Sequence, residues 1–233
     1  MTYEQVLQQL QQFGTAQNRK IYTNHGCDIP VFGVSMANLK KILKPIKKDT
    51  KLGKELFFSD NMDAIYLSQW IVDINELTTE DLEDRILYSN YYLLIENAIP
   101  TIIGQSAVRT TEILNKWLHH EEPRFRQSAY ALYGLYVSST PDEKLNIDEI
   151  TNELHYIKEN IHQEENRVRY QMNQFVISVG AYIKSLFEVA MDTANAIGTV
   201  SVQMGKTACK VPFAPEYLEK IESMNRVGTK RKR

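Results

Sequence analysis

Residues 123–137, PRFRQSAYALYGLYV, decide the fold. A proline opens the stretch, at the one place where its missing N–H takes nothing from a helix. Tyr130, Tyr133 and Tyr136 then recur at helical spacing, which reads as core or groove lining rather than a cofactor box. The pattern of a capping or helix-starting residue followed by an amphipathic run returns in NMDAIYLSQWIVD from Asn61, NYYLLIENAIPTIIG from Asn90 and NRVRYQMNQFVISVGAY from Asn166. Further helical stretches lie between them: TTEDLEDRILYS, SAVRTTEILNKWLHH and NIDEITNELHYIKENI. No segment alternates with period two, so no strand is predicted.

The starts recur at intervals of about 30 to 45 residues, the scale of helix-pair repeats such as HEAT or armadillo. The spacing therefore predicts an all-α, HEAT-like helical-repeat solenoid; spacing alone also allows an ordinary helical bundle. Thr2 and Gln5 are placed for a capping box, and Gly14 ends the first helix. A short helical piece is predicted around residues 17–22, then an irregular segment, NHGCDIPVFG, punctuated by Gly26, Pro30 and Gly33. Ser35 caps MANLKKILKPIKK, whose buried face is Met36, Leu39, Ile42, Leu43 and Ile46, with Pro45 set to kink or end it.

Charge is unevenly spread. Lys40, Lys41, Lys44, Lys47, Lys48, Lys51 and Lys54 crowd together with Asp49 the only acid among them. Arg226, Lys230, Arg231, Lys232 and Arg233 close the chain, yet the formal net charge is -2. Between the basic regions, Asp60, Asp63, Asp73, Glu76, Glu80, Asp81, Glu83, Asp84 and Glu96 face one arginine, Arg85. Such asymmetry sets up a local positive field that a polyanion can find on a body that stays soluble. A solvated lysine-rich helix face is the plainer alternative.

With 233 residues, 43% hydrophobic and 24% charged, the chain can build a real core. Cys27 and Cys209 stand far apart without CxxC spacing, which suits reduced thiols. The opening MTYEQVLQQLQQFG lacks an apolar core and a cleavage site, and no stretch reaches the length of a spanning helix, so a cytoplasmic protein without membrane contact is expected. Gly205, Lys206 and Thr207 imitate the tail of a phosphate loop, but Val200 stands where the first glycine belongs, so no nucleotide cofactor is expected. His119 and His120 are adjacent and cannot share a metal from one helix face, and His25 with Cys27 has no second ligand pair; no metal and no cofactor are expected.

Three motifs in order carry a resemblance: VFGVSMANLKKILKPIKKD, NYYLLIENAIPTIIG and KTACKVPFAPEYLEKIESMNRVGTKRKR. From about Gln17 onward the chain resembles the bacterial DNA alkylation repair family of HEAT-like repeat proteins, the AlkD-like proteins. The resemblance implies a curved all-α superhelix with a concave, basic, DNA-binding face. For active members it implies excision of N3- and N7-alkylated purines without base flipping, tryptophans touching the deoxyribose and an aspartate stabilising the cationic sugar.

Aligned on that family, Tyr92 falls at a tryptophan and Glu96 at the aspartate, four residues apart and so on one helical face. The family's arginine position falls on Gln127, with Arg126 one residue, or about 100° of helix, earlier. The chain also has only AQNRKIYTNHG where active enzymes carry a longer second helix. Glutamate for aspartate displaces the carboxylate by roughly 1 Å, enough to lower a rate about a hundredfold. These residues predict a protein that binds duplex, damaged or branched DNA by backbone and shape, with weak or absent excision. The alternatives are an active alkylpurine glycosylase using Glu96, or a protein-interaction scaffold if the concave face is acidic or apolar. Phosphate contacts are expected from the seven lysines and from Lys230 and Arg231. The chain is expected to be a monomer, with one domain over residues 1–228 and a mobile basic tail over 229–233.

Overall fold

The computed structural model describes residues 1–232; Arg233, counted above in the basic tail, lies outside the described residues. Those residues are helical, without a strand, and the one extended bridge joins Gly14 to Val34. Contacts along the chain divide it into two compact units: Met1–Ser106 with Met204–Ala208, and Ala107–Gln203 with the chain from Cys209. Within each unit the helices pack mainly on their near neighbours in sequence, as repeat architectures do.

The first unit begins with α1 (Tyr3–Phe13), whose capping box forms as its sequence predicts: the Thr2 hydroxyl accepts from Gln5 N–H at 3.3 Å, and Gln5 Oε1 accepts from Thr2 N–H at 2.9 Å. Next come α2 (Ala16–Asn24), capped by Thr15 and longer than the piece anticipated, and α3 (Met36–Leu43), capped by Ser35. An unanticipated helix, α4 (Thr50–Phe57), follows Pro45. α5 (Met62–Ser68) and α6 (Thr79–Tyr88) start at Asn61 and Thr78, as read from the sequence. A π-turn, Leu94–Ala98, then runs directly into α7 (Ile99–Ile103). In this unit α4 packs on α5, α1 on α3 and α5, and α6 on α7. The lone arginine of the acidic stretch, Arg85, is buried over the Phe57 ring at 4.1 Å; burial lowers its pKa to about 10.

The second unit holds α8 (Ala107–Trp117), α9 (Pro123–Ser139), α10 (Ile147–Asn160), α11 (Asn166–Tyr182), α12 (Phe187–Ile197) and α13 (Ala214–Ser223). α11 packs against α9, α12 and α13, while α8 packs on α9 and α10 on α12. Trp117, Tyr130 and Phe175 are fully buried there, and Tyr133 stacks on Phe175 with ring centroids 4.5 Å apart. Each such side chain withdrawn from water contributes about 1.5–3 kcal/mol. No single described helix is long and apolar enough to cross a membrane. Gly205, Lys206 and Thr207 lie outside any helix, where Lys206 N–H donates to Asn24 carbonyl at 3.1 Å; the strand and helix that would flank a phosphate loop do not flank them.

Candidate nucleic-acid interface

Asp63 sets the geometry of the basic segment. It enters α5 behind the Asn61 cap and is 2% exposed. Its carboxylate accepts the N–H groups of Phe32 (2.7 Å), Gly33 (3.0 Å) and Val34 (2.9 Å), fixing the turn that leads into α3. Burial pushes the Asp63 carboxyl up, and the three amides pull it down. Gly33 sits at φ +80, and a Cβ there would lie 2.5 Å from the Thr15 carbonyl oxygen, so only glycine fits.

From that fixed start, α3 buries Leu39 and Ile42 and exposes Lys40 and Lys41, the latter 5.9 Å from the centre of the Phe13 ring. Lys44, Lys47, Lys48 and Lys51 are also exposed. Asp49, the only acid among them, is spent on α4: its carboxylate accepts Leu52 N–H at 3.0 Å. Lys40, Lys44, Lys47 and Lys51 have no ion-pair partner among the described residues. Lys48 and Lys54 differ. The Lys48 ammonium donates to the Val72 carbonyl at 2.6 Å and to Gln105 Oε1 at 2.9 Å, and partial burial lowers its pKa. Lys54 pairs with Asp81 at 2.8 Å. The lysines thus occupy two helices and their connection, not one helix face.

Tyr92 and Glu96 belong to the first unit. The Tyr92 hydroxyl is 3.4 Å from His25 Nδ1, and its ring meets Tyr91 edge-on at 4.8 Å. Glu96 lies half-buried in the π-turn, where Ile99 N–H reaches back to the Leu94 carbonyl. Pro100 brings no N–H to the Glu96 carbonyl, a local reason for the helix to widen there. Such turns occur frequently at functional positions.

Arg126 and Gln127 belong to the second unit, adjacent on α9. The Arg126 guanidinium binds Glu164 Oε2 at 2.7 and 3.2 Å and the carbonyls of His120 (2.6 Å) and Glu121 (2.9 Å). It forms a clasp between the start of α9 and the turn before α11. Gln127 is buried.

The basic tail differs most from its expectation. Lys230 donates to the Val137 carbonyl at 2.8 Å and pairs with Asp142 at 2.7 Å. Arg231 N–H donates to the Ser138 carbonyl at 2.8 Å, and its guanidinium to the Tyr182 hydroxyl at 2.6 Å. Lys230 and Arg231 are docked on the second unit, because the ends of α9 and α11 offer acceptors that a short cationic segment satisfies. Sequence gave no sign of this, since the partners lie 49 to 93 residues away.

Helices stacked on their neighbours, with an exposed lysine segment on α3, α4 and their connection, define a helical-repeat protein. The family model described as DNA alkylation repair enzyme matches residues 6–218, and the chain belongs to that family. It is 32% identical to the uncharacterized protein Lin0241 of Listeria innocua serovar 6a, over 98% of this chain and 100% of that one. With the uncharacterized protein Lmo0209 of Listeria monocytogenes serovar 1/2a it shares 30% identity over 96% and 98% of the two chains. A solved structure matches with TM-score 0.93 and 27% identity, over 100% of this chain and 99% of the other. It represents a new family of proteins related to the HEAT-like repeat DNA glycosylases with affinity for branched DNA structures. The fold expected from helix spacing, a HEAT-like repeat helical fold, is the one found.

Proposed function

We propose that the protein binds branched or otherwise structured DNA through its phosphates and shape, and that its base-excision activity is weak or absent. The exposed lysines from Lys40 to Lys51 carry this reading. Ammonium groups on flexible stems contact phosphate without reading bases, and they release counterions wherever strands come close together. The affinity of the similar solved protein for branched DNA agrees with it. Weak excision is supported by Arg126: moving it by the one helical position its assumed role demands would break four hydrogen bonds. On this reading it acts as a monomer in the bacterial cytosol, on the nucleoid.

One observation favours a second reading, an active alkylpurine glycosylase: the π-turn around Glu96. Two measurements separate them. Fluorescence anisotropy should show tighter binding to a four-way junction than to a duplex of equal length. Incubation with 7-methylguanine duplex should release base at the spontaneous rate. Release that is fast, and lost in Glu96→Gln, establishes the glycosylase instead.

A further inference from the structure

The second unit contains a cleft unrelated to the lysine segment. It lies between α8 and α10 over α9, with a volume of about 520 Å³, within the size range of small-ligand sites. Its polar centre is Glu153, 7% exposed. Glu153 Oε1 accepts the Tyr130 hydroxyl at 2.5 Å, and Oε2 is 3.3 Å from His119 Nε2. A carboxylate oxygen accepts about two hydrogen bonds, so these contacts orient the group and leave capacity on each oxygen. One turn earlier on α10, the exposed Glu149 lines the same cleft.

The walls are aromatic and held in place. Tyr133 is 6% exposed and stacked on Phe175, while the half-buried Tyr136 lines the cleft one turn along. Burial raises the Tyr133 phenol above its usual range, and the carboxylates of Glu149 and Glu153 raise it further, so both project a negative field onto that wall. Lys144 is the one ammonium in the lining.

We propose that this cleft binds a guanidinium or primary ammonium group carried on an apolar stem. Two carboxylates with spare acceptor capacity call for N–H donors, and a planar guanidinium meets Glu149 bidentately. Tyrosine faces attract a cation and cover the stem. An anion would be repelled, and a quaternary ammonium would leave the carboxylates without donors. Such a group is the tip of a partner protein's arginine or lysine, or a free small amine.

Isothermal titration of the full-length protein with Nα-acetyl-arginine amide tests this, with the citrulline amide as the uncharged isostere. The arginine probe is expected to bind at least about tenfold more tightly than citrulline, and to weaken by about tenfold in Glu149→Gln. Glu149 is exposed, so that variant does not challenge the fold. Glu153→Gln, checked for folding by circular dichroism, is expected to weaken binding further. Agmatine outcompeting an arginine-containing tripeptide would assign the site to a free amine, and the reverse to a protein side chain. Equal binding of arginine and citrulline, undiminished binding in Glu149→Gln, or no heat with any probe would overturn the proposal.

Discussion

Asp63 is one carboxylate holding three main-chain amides, two of them buried, at the entrance to the lysine segment. Asp63→Ala leaves those amides without an acceptor, at a cost of about 3 kcal/mol or more by chemical denaturation. The loss should reach DNA affinity too, because the start of α3 is then unfixed. Glu153 makes a prediction about pH. Burial, its largest influence, holds the carboxyl above its ordinary 4.5, against the pull of the Tyr130 hydroxyl and His119. The native state then binds the proton more tightly than the unfolded chain. That contribution is full below 4.5 and is lost as pH rises through the raised native value. Urea midpoints from about pH 4 to about pH 8 should therefore show Glu153→Gln gaining on the parent as pH rises; parallel curves would mean that burial does not govern this carboxyl. At this scale the sequence was partly legible. Tyr92 and Glu96 could be located through resemblance, but a spacing of four does not distinguish an α-turn from a π-turn, and only Pro100 hinted at one. The clasp of Arg126 on Glu164 spans 38 residues and has no local signature.

Helices were more legible than side-chain partners, because caps and apolar stripes are local. Thr2, Ser35 and Asn61 cap where the sequence places them, and the helical stretches read from Thr78 and Asn146 begin on those residues as caps. α4 was hidden because its eight residues, TKLGKELF, carry a glycine and two lysines and lie inside a basic run. Gly53 deserves its place there: a Cβ would meet Val72 Cγ1 at 2.4 Å. Helix propensity alone predicts that Gly53→Ala gains about 1 kcal/mol, whereas overpacking costs about 1–3 kcal/mol. The variant should melt lower than the parent. The division of the lysines between α3, α4 and their connection also sorts their roles. Lys44, Lys47 and Lys51 replaced together by alanine should leave the melting temperature nearly unchanged and reduce the log–log salt slope of DNA binding by about three. Unchanged affinity would remove the lysine segment from the interface. Lys48→Ala should instead cost stability, since its ammonium serves the Val72 carbonyl and Gln105.

For the whole molecule, the tail is part of the fold. Removing residues 229–233 takes away the Lys230 pair with Asp142 and the Arg231 bonds to Ser138 and Tyr182. A loss of about 1–3 kcal/mol is expected, seen as a lower denaturant midpoint, where a mobile tail would give none. The two-unit division has a further consequence, for the time course of synthesis. The first unit takes its last piece, Met204–Ala208, from beyond most of the second. A ribosome adding about 5–20 residues per second needs several seconds more, after Ser106, before that piece exists. The N-terminal half of this chain therefore leaves the ribosome before the Lys206 N–H that closes on the Asn24 carbonyl at the end of α2 has been made. No single contiguous stretch of the gene encodes the first unit alone.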